Sequence, residues 1–231
     1  MSQPETLPRS FSIAKAHETQ KSLCKLVVQK DGLPNKIRLI AGVDAAYFGN
    51  KAVGAVAVLD YESLETIESE IAWLSVKFPY IPTLLSFREL PVVLAAIGKL
   101  NSQPDVFLVD AHGIAHPYGC GFASHLGLVI GKPTIGVAKN KLVGESKNIG
   151  GKQYLVHEGN TVAAVLTTQE DAKPVYVSVG HLISLRTAIR ITKHCIRENR
   201  IPAPLVAAHR LASDKRCEAL STSNRNSERI T

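Results

Sequence analysis

No run of about eighteen apolar residues occurs anywhere in this sequence, which excludes a membrane-spanning helix of ordinary length. Cysteine is scarce. Cys24, Cys120, Cys195 and Cys217 form no CxxC or CxxH pair, so neither a zinc site nor a disulfide frame is expected, and they read as reduced, mostly structural thiols. Charge is sparse too, at 20% of residues against 45% hydrophobic, a balance that excludes a disordered or low-complexity chain. The N-terminal MSQPETLPRSFS lacks the apolar core and small-residue cleavage site of a secretory signal, so a cytoplasmic location is expected. Neither an internal repeat nor a linker interrupts the pattern, and one domain over 1–231 is expected, with the polar 221–231 as a flexible tail.

What charge there is lies unevenly. The chain carries a net +7, of which residues 101–231 hold +6. Within that half, Arg186, Arg190, Lys193 and Arg197 recur at steps of four, three and four, which stacks them on one face if LISLRTAIRITKHCIREN is helical. Such a face is either simply solvated or a track for phosphates.

Helical periodicity marks 12–30, and DGLP ends it. Three strands follow, 38–48, 52–60 and 64–76, joined by turns too short for a crossover, which predicts an antiparallel meander. The run 84–100 reads as a helix kinked at Pro91. The apolar run 105–110 and the strand 133–138, with a glycine-rich loop and a helix near 119–131 between them, predict a parallel βαβ unit. Further strands are expected at 152–156, 161–168 and 174–178, ahead of the basic helix. The fold class is therefore α/β: a mixed central sheet whose antiparallel three-strand meander leads into parallel βα units, with helices on both faces. That order of elements is the ribonuclease H-like plan.

Asp44 interrupts an apolar strand, with small Gly42 and Ala46 sharing its face. A carboxylate there costs several kcal/mol (roughly) unless it is compensated, and a cation is the natural compensation, although a lone Asp more often caps a turn. Asp110 ends the apolar run VFLVD, where open α/β sheets place ligands. Glu89 lies on the intervening helix, and if that helix packs over the sheet centre a third carboxylate joins the pair. Hard oxygen ligands suit Mg²⁺ or Mn²⁺, either of which can activate water and steady a phosphate. His112 and His116 are four apart, but Gly113 and Pro117 argue against the helix a zinc pair would need. Tyr80 stands between two prolines in FPYIP, held for core packing or as a wedge between bases. Lys139 follows the strand IGVA, either as a surface cap or as a positive charge for a phosphate.

Six segments together resemble the endonuclease V family over residues 38–212: GVDAAY, PYIPTLLSFRE, VDAHGIAHPYGCGFASHLGL, KPTIGVAKNKL, VSVGHLISLRTA and PAPLVAAH. The resemblance implies a DNA repair endonuclease that cuts the second phosphodiester bond on the 3′ side of a deaminated base, deoxyinosine, leaving 3′-hydroxyl and 5′-phosphate ends with the lesion in place. It implies Mg²⁺, with Mn²⁺ as a substitute, held by Asp44 and Asp110. Glu89, Lys139 and His209 complete the catalytic set. Tyr80 would part the strands from the loop Pro79, Ile81 and Pro82, and backbone around Gly113, His116 and Gly121 would line the base pocket. Expected partners are double- or single-stranded DNA containing deoxyinosine, and inosine RNA as an alternative, with the protein acting as a monomer away from membranes. The other alternative is a lesion-binding module without turnover. Three positions depart from the family pattern: Thr83 in place of a glycine, Ala111 in place of a glycine, and Tyr118 in place of a basic residue.

Overall fold

The computed structural model describes residues 12–76, 78–169 and 172–228. Residues 39–75 form the expected meander, β1 (Leu39–Phe48), β2 (Lys51–Asp60) and β3 (Thr66–Ser75), with Phe48 paired to Lys51 across the two-residue turn Gly49-Asn50. β4 (Val106–Val109) and β5 (Thr134–Ala138) are the short, fully buried strands, and both run parallel to β1. An antiparallel set completes the sheet: β6 (Glu145–Ile149), β7 (Lys152–His157), β8 (Asn160–Leu166) and β9 (Val175–His181). The nine strands lie in the order β3-β2-β1-β4-β5-β9-β8-β7-β6.

Helices cover both faces, as the α/β reading requires. α2 (Leu85–Ile97) and α3 (Phe122–Ile130) close one side, where Val93, Ala96, Phe122 and Leu126 meet Ala41, Val43 and Phe107. α4 (Leu185–His194) and α5 (Ala203–Glu228) close the other, where Ile191 and Leu205 meet Ile40, Leu108 and Val177. The alternation of side chains along β1 explains why both faces are apolar, since successive residues serve opposite cores. No helix among the described residues is long and apolar enough to cross a membrane. The buried thiols of Cys120 and Cys195 are pushed up to about 12 by burial, which suits structural cysteines.

Several elements differ from the sequence pattern. α1 (Ile13–Cys24) ends before residue 30 because the following segment hydrogen-bonds along the end of β9: Val28 N donates to His181 Nδ1 at 3.2 Å and Gly32 N to the Leu182 carbonyl at 2.9 Å. α4 is shorter than the basic run, starting at the Ser184 cap and leaving Arg197 outside. The Arg197 guanidinium turns back onto the carbonyls of His194 and Ile196, at 2.8 and 3.0 Å, so it caps the helix end and does not extend the basic row. Arg186, Arg190 and Lys193 border a groove of about 860 Å³ against β7 and β8. β6 is exposed along its whole length and carries no apolar alternation, which left it without a sequence signal. The tail expected from 221 falls on residues whose side chains, and at 229–231 whose backbone, lie outside the described residues; the α5 backbone runs to Glu228.

Candidate active site

Parallel pairing of β1 with β4 matches Val43 to Val109, so the next residue on each strand is an aspartate. Asp44 and Asp110 therefore emerge side by side at one end of the sheet, on neighbouring strands about 4.8 Å apart. β5 pairs Gly136 with Val109, which puts Lys139 beyond the same edge, and its ammonium turns back to form an ion pair with Asp110 Oδ2.

The third component comes from the far end of the chain. Gly42 faces α5 so closely that a Cβ there would lie 2.0 Å from the Pro204 carbonyl oxygen, and this absence of a side chain seats the helix on β1. From that contact, two residues of strand advance about 6.6 Å and five residues of helix about 7.5 Å, so His209 arrives over Asp44. His209 Nδ1 lies 2.7 Å from Asp44 Oδ2, while Asp44 Oδ1 accepts from Ala45 N at 2.8 Å.

Ligand atoms of Asp44, Asp110 and His209 all lie within 4.8 Å of one another. The two aspartate side chains are 15% and 14% exposed, so a pair of carboxylates shares a space with little water. Burial and the Asp110 charge push the Asp44 pKa up, against the opposing pull of His209 and the Ala45 amide. A divalent cation fits this donor set: it relieves the like-charge repulsion and replaces the lost hydration, and oxygen donors predominate.

Glu89 on α2 does not join the three-membered cluster, yet it feels its field. Burial, then the charge of Asp44 and, more weakly, of Asp110, pushes Glu89 up to about 8. Tyr47 donates its hydroxyl to Glu89 Oε1 at 3.3 Å, and the Arg88 guanidinium lies 4.3 Å from the centre of the Tyr47 ring. Tyr47 and Arg88 were missed by the sequence reading, although both lie inside segments it singled out, GVDAAY and SFRE. On a strand Tyr47 points away from Asp44, so nothing in the local pattern linked the two.

A cavity of about 340 Å³ adjoins these groups, and its lining includes Tyr80, Thr83, His116, Gly121, Asp110 and Lys139. Tyr80 is 69% exposed, flanked by half-buried Pro79 and Ile81 and by exposed Pro82. Gly121 precedes α3, and a Cβ on it would meet the His112 carbonyl oxygen at 2.4 Å. Gly113 does not line the cavity. It packs the glycine-rich loop onto β9, where a Cβ would come within 1.9 Å of the Val179 carbonyl oxygen, and its N–H donates to Ser178 Oγ at 2.8 Å. His116 is buried and pushed down to about 4 by that burial, which keeps the ring neutral. Ala111 borders the cavity, and its methyl is buried in the core beside Val109 and Phe122.

A mixed sheet that delivers two aspartates and a lysine to one edge, with an imidazole brought over them by α5 and a cavity with an exposed tyrosine beside them, is an arrangement suited to metal-assisted phosphodiester chemistry, the class of a nuclease. The family model of endonuclease V matches residues 21–210, and the chain belongs to the endonuclease V family. The endonuclease V of Thermofilum pendens is 42% identical over 209 residues, covering 90% of each chain. The crystal structure of the Streptomyces avermitilis endonuclease V superposes with a TM-score of 0.82 at 34% identity, over 94% of this chain and 100% of that one. The Ciona intestinalis endonuclease V, solved with a 24mer DNA containing an inosine followed by a ribo-adenosine, matches with a TM-score of 0.80 at 26% identity, over 90% and 98% of the two chains.

Proposed function

We propose that this protein is a Mg²⁺-dependent endonuclease that recognises deoxyinosine in DNA and hydrolyses the second phosphodiester bond on its 3′ side, leaving 3′-hydroxyl and 5′-phosphate ends. The observation that carries this reading is the convergence of Asp44, Asp110 and His209 within 4.8 Å beside a cavity that also includes Tyr80.

Asp44 and Asp110 would hold the cation, which supplies water activation and charge stabilisation at the phosphate. His209 holds Asp44 through Nδ1 and leaves Nε2 for a phosphate oxygen or a water. Lys139, now paired with Asp110, places its ammonium where a phosphate charge needs it. Glu89, its pKa raised by burial and by the charge of Asp44, is the third acid of the set and is tied to the Tyr47 hydroxyl. Tyr80 projects into solvent as the wedge, and the cavity beside His116 and Gly121 receives the extruded base. Inosine pairs poorly, so its extrusion costs less than that of a normal base, and selectivity begins before any contact is made.

The test is a nick assay on matched strands. An inosine-containing duplex should be cut with Mg²⁺ and left intact with a chelator. An RNA strand of the same sequence distinguishes the sugar preference, and more than one cut per protein molecule excludes a pure binder. Tight binding with no nick in Mg²⁺ overturns the proposal.

A further inference from the structure

Thr83 closes the loop that carries Tyr80, and its backbone has φ 73°, a left-handed conformation that a β-branched residue resists. Three side chains converge on it. His17 Nε2 hydrogen-bonds Thr83 Oγ1 at 3.0 Å, Gln20 Nε2 donates to the Thr83 carbonyl at 2.8 Å, and His116 Nε2 lies 3.0 Å from that same carbonyl. His116 Nδ1 accepts from Tyr118 N at 3.2 Å, which puts the ring proton on Nε2 and makes it the donor to Thr83.

His17 and Gln20 belong to α1 and share one face of it with Lys21, at steps of three and four. Gln20 is fully buried and also donates to the Cys120 carbonyl at 3.2 Å, so a single side chain ties the Tyr80 loop to the glycine-rich loop. The His17 ring stacks on Tyr118 with centroids 4.1 Å apart, and the Lys21 ammonium lies 5.6 Å from the centre of that ring. Both His17 and Gln20 precede residue 21, where the match to the family model begins.

We infer that α1 is a clamp on the recognition loop, in which His17 and Gln20 are positioning residues that hold Thr83 left-handed and so fix the direction of Tyr80. The inference rests on the reading of Tyr80 as the wedge. Prolines at 79 and 82 stiffen the loop from within, whereas the root at Thr83 is strained and needs holding from outside. A loop already set in its bound shape loses less freedom on meeting the duplex, so the clamp acts on lesion affinity ahead of the chemical step.

The experiment compares His17→Ala, Gln20→Ala, Thr83→Gly, the double variant His17→Ala/Thr83→Gly, and Tyr80→Ala. Three readouts apply: amide hydrogen exchange over residues 79–84 in the free protein, the affinity ratio for inosine-containing against undamaged duplex, and kcat and KM for nicking. His17→Ala should speed exchange and lower the affinity ratio about fivefold, the effect of one lost neutral hydrogen bond, and Gln20→Ala, which loses two, should do both to a greater extent, with KM moving more than kcat in each. Thr83→Gly removes both the hydroxyl that His17 holds and the left-handed strain, so His17→Ala should have little effect in that background. An equal effect of His17→Ala in both backgrounds, or unchanged exchange, overturns the clamp. If Tyr80→Ala leaves the affinity ratio untouched while His17→Ala still loosens 79–84, the wedge reading falls and the clamp on the loop stands. If Tyr80→Ala lowers the ratio and His17→Ala changes nothing, the clamp alone falls.

Discussion

Asp44 is nearly enclosed, held against the repulsion of Asp110 by one backbone amide and one imidazole. A charge in that position does not serve stability, which a well-packed apolar residue would serve better, and this is what the proposed cation site explains. Asp110→Asn should therefore abolish nicking, by more than about 100-fold given that even outer-shell ligand partners cost 10–100-fold, while duplex binding is largely kept. Equal loss of binding and cleavage in gel-shift and nick assays would assign Asp110 a structural part. The three departures from the family pattern also resolve at this scale. Thr83 and Tyr118 touch the same residue, His17, and Ala111 is partly a core residue, so none of them disturbs the carboxylates. The acids at 44 and 110 were legible as strand interruptions, whereas the direction of Glu89, toward Tyr47, and the packing part of Gly113 depend on neighbours far along the chain.

Among the elements, α5 links fold and chemistry most directly. Its seat is Gly42 on β1, and its sixth helical step beyond Ala203 is His209. Gly42→Ala should push α5 off the sheet, because the new methyl would meet backbone and not a side chain that can turn away. We expect a loss of about 2 kcal/mol in denaturant unfolding, within the usual range for overpacking, together with reduced nicking as His209 leaves Asp44. Unfolding unchanged from wild type would mean that the helix tolerates the methyl. Periodicity located the meander, α2, α3 and the buried strands β4 and β5, because alternation and short apolar runs report directly on one or two buried faces. It did not locate β6, which is exposed, nor the early end of α1, which is set by hydrogen bonds to β9.

At the level of the whole molecule, the ionisable groups predict a pH profile of stability. Glu89, raised from an ordinary 4.5 to about 8, holds its proton more tightly when folded, so its contribution is complete below pH 4.5 and is lost as pH rises through 8. Asp44, also raised, acts with the same sign. The buried histidines act oppositely: His116, lowered from 6.5 to about 4, destabilises the fold as pH falls through that window, and His112 and His125 are lowered as well. Between pH 6.5 and 8 the lowered histidines are already neutral in both states, so the raised carboxyls, Glu89 foremost, set the slope. In chelator, the melting temperature should fall across that range, and Glu89→Gln should flatten the fall. Saturating Mg²⁺ should reverse it, because the cation favours the ionised site. A wild-type melting temperature that rises over the same range would contradict the assignment.

The pattern of apolar and polar residues was enough to set the class of fold and to mark two aspartates, since both follow from interactions a few positions apart: strand alternation, helical spacing, and an acid where a buried strand should be apolar. The gathering of Asp44, Asp110 and His209 at one edge, and of His17, Gln20 and His116 on Thr83, required the folded chain. Those contacts span up to 165 positions, and parallel pairing and helix seating, which no local periodicity encodes, are what bring their members together.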